Sequence, residues 1–411
     1  MKGISKALDH LLRATGDPLR DLDAIGPDDP RFAYSEVIRA GIGVLAKVPE
    51  ALPEITRATR VMDTPGLPLR LRSHLEAAQL WVAGDALQAA RRYARIIEQW
   101  PHDLLAMRLA QSCYFFVGQL EQTCALLDQA LKIWRRETNG FGFVLAMASF
   151  SHAEAGHSER AEQLGREALA RDPACPMGVH AVAHAIAEAR SPGRGAAWMR
   201  SQRAHWAVPS RMRSHNAWHL AMFDVEDGRM APAMNLLDHC LLPAARHSPG
   251  EACDATSLLW RLAGQQLDIG DRWQQLSDDF ERWQPGFWPY LDMHAAVAHV
   301  RAGILHRSQR LMRSIQVCAA HSSPSAWRAR QITIPFLRAV MMWRDGNPKM
   351  ANAALTKLRP VLHSAGGSRL QRDIFAAPDG TTVSPQTASM PPATAVLASG
   401  GGHVHYHRQA N

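Results

Sequence analysis

Residues 143–173 read FVLAMASFSHAEAGHSERAEQLGREALARDP and contain one complete helix–turn–helix unit. Apolar residues recur at three- and four-residue intervals on both sides of Gly156, which is the spacing of helices that bury one face. Gly156 marks the turn, and Pro173 ends the second segment because proline cannot continue a helix. Ala161 and Ala168 are small enough to let the paired helices approach closely. The stretch predicts two antiparallel helices.

The same pattern recurs along the chain. The turn glycines are Gly84, Gly118, Gly156, Gly228, Gly303 and Gly346. The first intervals are 34, 38, 72 and 75 residues, and Arg190 and Gly270 lie near the midpoints of the two long ones. A helical unit of about 34 residues is typical of tetratricopeptide repeats. The sequence therefore predicts an all-α, tetratricopeptide-like α-solenoid, with about seven or eight antiparallel helix pairs over residues 69–365.

The two ends of the chain differ from this array. Residues 1–68 have helical spacing, but the six prolines from Pro27 to Pro68 divide them into short pieces, so we expect a helical N-terminal cap. Residues 366–411 begin with the motif GGSRLQRDIF at 366–375. From Ala376 the chain is rich in Ala, Pro, Ser, Thr and Gly, which predicts a disordered low-complexity tail.

Composition excludes several functions. The 411 residues carry 46 Lys and Arg against 38 Asp and Glu, a net charge of +8 without a concentrated basic block or a zinc-finger spacing. This argues against nucleic acid as the partner.

The chain lacks an apolar run long enough to span a bilayer and an apolar signal core, and its six cysteines form no Cys-x-x-Cys pair. We therefore expect a cytoplasmic protein without a membrane partner. The usual phosphate-binding loops and the Gly-x-Ser-x-Gly motif are missing, which argues against nucleotide-dependent and serine-hydrolase chemistry.

Histidine pairs are the main chemical signal. His180 and His184 are four residues apart, as are His215 and His219, so each pair lies on one helix face. Both pairs fall in the first helix of a unit, which normally lines the concave surface of a solenoid. A third such helix carries the pair Asp292 and His294.

Together these six residues form a candidate site for iron, manganese or zinc, although packing or surface roles are the alternative for any one pair. Ala181 and Asn216 stand where a His-Glu-x-x-His metalloprotease would have its glutamate, which argues against a protease.

Other residues are weaker candidates. Glu154 and Glu226 each end an inner helix, where they would serve as acid/base groups, as extra ligands, or simply as exposed charges. Asp254 precedes an apparent helix, so we expect an N-cap. Trp218 is a candidate pocket wall or core residue. Three alternating histidines near the C-terminus would bind metal only adventitiously: His403, His405 and His407.

Several blocks together resemble the tetratricopeptide repeat protein 38 family, which has bacterial members, including some in glycopeptide-antibiotic gene clusters. The blocks are HAVAHAIAEA at 180–189, Trp198, SHNAWHLAMFDVEDG at 214–228, DATSLLWRL at 254–262, GDRW at 270–273, Asp292-x-His294 and GGSRLQRDIF at 366–375. The resemblance covers residues 30–375 and implies an all-helical repeat fold without an established reaction. The family pattern has an aromatic residue at Ala217 and a glycine at Arg190, and it continues into another helix after Phe375.

Two functions follow from these observations. One is a metal-dependent enzyme or metal-binding protein whose inner histidines act on an unidentified small molecule. The other is a non-catalytic adaptor that holds a peptide or protein partner in the concave groove. An adaptor predicts an open groove lined by Asn, Lys and Arg, whereas an enzyme predicts an enclosed polar site. The sequence does not predict the substrate or the oligomeric state.

Overall fold

The computed structural model describes residues 2–265 and 267–376. Helices dominate these residues, and no strand occurs among them. The predicted all-α, tetratricopeptide-like solenoid is therefore confirmed. Residues 377–411, which contain most of the tail expected to be disordered, lie outside the described residues. No helix in the described part of the chain is both long and apolar enough to cross a membrane.

The helices follow the predicted repeat. In chain order they are α1 Lys2–Arg13, α2 Pro18–Leu22, α3 Phe32–Ala46, α4 Leu52–Thr59, α5 Leu69–Val82, α6 Ala86–Gln99, α7 Leu104–Phe116, α8 Leu120–Ile133, α9 Phe141–Glu154, α10 Ser158–Arg171, α11 Pro176–Glu188, α12 Pro192–Ser201, α13 Arg203–Trp206, α14 Arg213–Glu226, α15 Met230–Leu236, α16 Leu242–Ala245, α17 Pro249–Ala263, α18 Arg272–Phe280, α19 Pro289–Arg301, α20 Leu305–Ala319, α21 Pro324–Arg328, α22 Ile334–Arg344, α23 Pro348–Leu358 and α24 Arg369–Arg372. Short 3₁₀ segments occupy Pro49–Ala51, Arg60–Asp63, Arg359–Ala365 and Asp373–Phe375, and π-helical segments occupy Leu237–Leu241 and Ala329–Thr333.

Each repeat unit pairs an inner helix with an outer one. The inner helices are α5, α7, α9, α11, α14, α17, α19 and α22. The unit of α19 and α20 shows how inner and outer helices differ in burial. Helix α19 is buried at every position from Pro289 to Val300. Its outer partner α20 buries four residues spaced along a single face. The inner helices therefore form the core on which the outer helices pack.

The turns between paired helices need a left-handed backbone. Gly156 has φ +88°, which glycine adopts readily because it has no side chain. Arg190 occupies the equivalent turn with φ +54°, where a side chain is strained. The chain therefore keeps the repeat geometry at a position where the resemblance predicted glycine.

The solenoid curls until distant repeats touch. Arg328 Nη1 donates a hydrogen bond to the carbonyl oxygen of Phe116 at 3.4 Å, although 212 residues separate them. The ammonium of Lys47, just after α3, lies 5.5 Å from the ring centre of Trp288. The C-terminal segment Ser368–Phe375 enters the interior, where Ile374 and Phe375 are fully buried. The inner surface is thus enclosed by the chain itself.

Residues 1–68 join this body at more than one place. Helix α3 packs against α5 and α7 at the start of the array. Arg13 forms an ion pair with Asp172, and the backbone N–H of Arg211 donates to the carbonyl oxygen of Ala14 at 2.8 Å. The N-terminal helices therefore also contact the middle of the solenoid.

Candidate metal centre

Four histidines from two adjacent inner helices converge inside the solenoid. His180 and His184 lie on α11, and His215 and His219 lie on α14. One ring nitrogen of each lies within 4.8 Å of one from every other member. The ring centroids are 4.5–6.4 Å apart. The two predicted pairs thus form one cluster.

Two carboxylates set the proton positions on two of these rings. Glu154 Oε1 lies 2.8 Å from His184 Nδ1, and Asp254 Oδ2 lies 2.5 Å from His215 Nδ1. An ionised carboxylate only accepts hydrogen bonds, so each Nδ1 carries the proton and donates it. In the neutral rings, the unprotonated Nε2 atoms of His184 and His215 then face the centre of the cluster.

Both of these Nε2 atoms point at the same nitrogen. His180 Nε2 is 2.9 Å from His184 Nε2 and 3.0 Å from His215 Nε2. Whether it carries a proton or a lone pair, His180 Nε2 can form a good hydrogen bond with only one of them. Hydrogen bonds alone therefore cannot satisfy the three Nε2 atoms of His180, His184 and His215 together. Ligands on a tetrahedral ion with bonds of 2.0–2.1 Å lie about 3.3 Å from one another, close to the observed spacings.

His219 completes the group. Its side chain is fully buried, and neither ring nitrogen has a hydrogen-bond partner among the described residues. A buried polar atom without a partner costs about 1–3 kcal/mol. A histidine in this state, facing three other imidazoles, has the chemistry of a metal ligand.

The local electrostatics keep two of the rings neutral. Burial and the neighbouring imidazoles hold the pKa values of His180 and His219 well below the usual histidine range. For His215, burial lowers the pKa, but the charge and hydrogen bond of Asp254 outweigh it and leave the pKa raised. Burial alone would raise the pKa of Glu154, yet its hydrogen bond and ion pair with His184 leave it lowered. Glu154 therefore stays ionised beside the cluster.

Aromatic rings form the walls of the site. Phe150 stacks on His180 with centroids 5.3 Å apart, and its edge meets His184 at 4.9 Å. Trp218 stacks on His215 at 5.3 Å and 15°. His215 retains 18% side-chain exposure, while the other three histidines are buried. An incoming ligand would therefore reach the cluster from the side of His215.

The C-terminal segment holds both carboxylates from their second oxygens. The backbone N–H of Arg369 donates to Glu154 Oε2 at 2.8 Å, and Gln371 Nε2 donates to Asp254 Oδ1 at 2.7 Å. Such outer contacts orient the ligands of a metal site and tune their basicity. The segment thus belongs to the support of the histidine cluster.

The other predicted site residues lie elsewhere. His294 Nδ1 donates to the carbonyl oxygen of Tyr290 at 2.8 Å, and its ring packs on Phe375 at 4.8 Å. Asp292 accepts from the backbone N–H of Gly286 at 3.1 Å, and burial raises its pKa to about 8. Helix α17 packs between α14 and α19, so the third pair does not reach the cluster.

The three remaining acidic candidates have different surroundings. Glu226 is exposed and makes no hydrogen bond to another described residue, whereas Glu154 is buried beside His184. Asp254 is not an N-cap, because α17 begins five residues earlier at Pro249. An earlier predicted start of α17 would have placed Asp254 on an inner helix, where its side chain can face the histidines. Arg369 and Gln371 belong to the block at 366–375 that carries the family resemblance, but no local pattern predicts their contacts with Glu154 and Asp254.

Known structures resemble this chain in part. No protein-family profile matches it. The Cut9–Hcn1 hetero-tetramer of the APC/C is 14% identical, with a TM-score of 0.44 over 91% of this chain and 69% of that one. A Rap protein complexed with competence and sporulation factor is 12% identical, with a TM-score of 0.44 over 86% and 100% of the two chains. A monomeric mutant of IFIT1 with Gppp-AAAA is 12% identical, with a TM-score of 0.46 over 91% and 84%.

Proposed function

We propose that this protein binds a transition-metal ion through His180, His184, His215 and His219 and uses it to act on a small molecule. The observation that supports this most directly is the meeting of three Nε2 atoms at 2.9 and 3.0 Å, which no assignment of protons satisfies. Among the metals expected from the sequence, an all-imidazole set suits zinc or iron better than manganese, which prefers carboxylate oxygens. A bound ion would supply Lewis-acid chemistry or, as iron, redox chemistry.

The protein groups have distinct roles in this proposal. His180, His184 and His219 hold the ion from the buried side, and His215 holds it at the more open edge. Glu154 and Asp254 are positioning residues, because each fixes the proton on the outer nitrogen of one histidine. Phe150 and Trp218 exclude water from two sides.

Cations on the neighbouring inner surface support an anionic substrate. Lys47 and Arg108 have no carboxylate partner among the described residues. Lys47 lies over the ring of Phe115 at 5.2 Å, and burial and the charge of Arg108 lower its pKa to about 7. The charge of Arg108 also lowers the pKa of His180, which places Arg108 within electrostatic reach of the cluster. A negatively charged ligand at this position would offset both charges.

The metal site can be tested by elemental analysis of the full-length protein. His403, His405 and His407 are first replaced by Ala so that they bind no metal. In that background we expect H184A/H219A to lose one equivalent of metal, while the control H294A keeps it and both retain their helicity. Equal metal content in H184A/H219A and its parent would contradict the proposal. The substrate class is tested with inorganic phosphate, which R108Q should bind more weakly at unchanged metal content.

A peptide-binding adaptor is the second candidate. The supporting observation is that the inner surface already holds a peptide-like segment of this chain, Ser368–Phe375, through its backbone and side chains. In an adaptor, a partner's segment would bind in the same manner. H184A/H219A should then leave partner binding unchanged.

A further inference from the structure

A second cluster of metal-ligating side chains lies where outer helix α8 meets the turn between α9 and α10. Cys124 and Asp128 are one turn apart on α8, His152 is in the last turn of α9, and His157 precedes α10. Potential ligand atoms of Cys124, His152 and His157 all lie within 4.8 Å of one another. The cluster shares no residue with the four-histidine centre.

The hydrogen bonds of His152 leave one nitrogen available. Asp128 Oδ1 lies 3.0 Å from His152 Nε2, so this nitrogen carries the proton and donates it to the carboxylate. In the neutral ring, Nδ1 then presents its lone pair to His157 Nδ1 at 3.2 Å. That distance again matches the spacing of about 3.3 Å between two ligands on a tetrahedral ion with bonds of 2.0–2.1 Å. A histidine fixed by a carboxylate on its outer nitrogen is a common arrangement around zinc.

The surroundings of Cys124 also suit a cation. The thiol is buried, and the negative charges of Asp128 and Glu121 act on it. A divalent ion would compensate the same negative charges and stabilise the thiolate. His157 is exposed, so the site opens to solvent on one side.

We propose that Cys124, His152 and His157 bind a second metal ion, zinc, with solvent in the fourth position and Asp128 fixing the orientation of His152. A mixed sulfur and nitrogen set is the one zinc commonly takes in proteins. The ion links outer helix α8 to the turn between α9 and α10, and thereby joins two successive repeats. The proposal is independent of the function proposed for the inner cluster.

Cobalt distinguishes the two sites. Titration of the full-length protein with Co²⁺ should produce a thiolate-to-cobalt charge-transfer absorption in the near ultraviolet, because Cys124 supplies sulfur and the inner cluster has none. We expect C124S to remove this absorption. H157A, at an exposed position that does not disturb the core, should remove or strongly weaken it. The control C240S, at a partly exposed cysteine outside the cluster, should retain it.

Zinc content gives the complementary measurement. C124S and H157A should each bind one equivalent less zinc than the parent, and D128N should bind zinc about 10–100-fold more weakly. H184A/H219A should leave the charge-transfer absorption unchanged, so failure at one site is distinguishable from failure at the other. An absorption that persists in C124S, or unchanged zinc content in both C124S and H157A, would overturn the proposal.

Discussion

Proton placement on individual histidines determines what the inner cluster can do. Glu154 and Asp254 each hold the Nδ1 proton of one ring, at 2.8 and 2.5 Å, so the opposite nitrogens point inward. Removing either carboxylate would free the ring to change tautomer or rotate. The carboxylates thus affect metal binding without being ligands.

Replacing Asp254 with Asn tests this role. D254N keeps the shape of the side chain but loses the charge that raises the pKa of His215. We expect metal affinity to fall about 10–100-fold, measured by competition with a chelator. D292N is the matched control, because Asp292 lies outside the cluster, and its affinity should match the parent. Equal losses in the two variants would show a general effect of removing an acid.

Asp292 predicts a pH dependence of stability. Burial raises its pKa to about 8, whereas an unfolded aspartate has a pKa of about 3.9. The native state therefore holds a proton that the unfolded state releases between these values. The contribution of Asp292 to the free energy of unfolding is full below the pKa of the unfolded aspartate. It is lost as the pH rises through the higher pKa that Asp292 has in the folded protein.

In D292N this dependence should disappear. Between about pH 5 and pH 8 the parent should lose up to about 1.4 kcal/mol of unfolding free energy per pH unit more than D292N. Urea unfolding at several pH values measures the difference. Parallel profiles for the two proteins would mean that Asp292 is ionised in the native state.

At the scale of the element, the local pattern carries most of the fold. Helix periods, turn glycines and four-residue histidine spacings are local features, so the helix pairs and the two histidine pairs could be predicted. The partners Asp254 and Arg369 could not, because their positions depend on how repeats stack and on where the chain returns. The same dependence places His294 against Phe375 and away from the cluster.

The turn at Arg190 provides a stability test of the repeat pattern. Arg190 is exposed and has φ +54°, so R190G should relieve backbone strain and raise the unfolding free energy by about 0.5–1 kcal/mol. The opposite kind of substitution at another turn, G156A, should lower the unfolding free energy by about 1 kcal/mol. At Gly156 a methyl group would have room, with the nearest atom 3.8 Å away, so only the backbone angle opposes it. Thermal unfolding checks both predictions, because the melting temperature should rise in R190G and fall in G156A relative to the parent.

At the scale of the whole molecule, closure of the solenoid connects its last residues to the inner site. The segment Ser368–Phe375 reaches both carboxylates. Arg369 contacts Glu154 across 215 residues of sequence, and Gln371 contacts Asp254 across 117. Phe375 packs on Phe336 at 5.1 Å and on His294, which anchors the segment. Metal affinity should therefore respond to changes in this distant segment.

The backbone N–H of Arg369 allows that link to be tested by a single substitution. Its backbone N–H donates to Glu154 Oε2, and it is the first residue of α24, where proline is well tolerated because the N–H is not needed by the helix. Ser368 has φ −75° and ψ 160°, an extended conformation that is compatible with a following proline. R369P therefore removes the hydrogen bond to Glu154 and sets the proline Cδ against Oε2, so the carboxylate must move while the backbone keeps a compatible path.

The control for this substitution is R369A, which loses the ion pair with Glu188 as R369P does but keeps the N–H. We expect R369P to weaken metal binding by about tenfold relative to R369A, since a lost outer contact costs about 10–100-fold in affinity. Chelator competition measures both, and circular dichroism confirms equal helicity. Equal affinities would mean that Glu154 keeps His184 oriented without the C-terminal segment, and that closure of the solenoid serves stability alone.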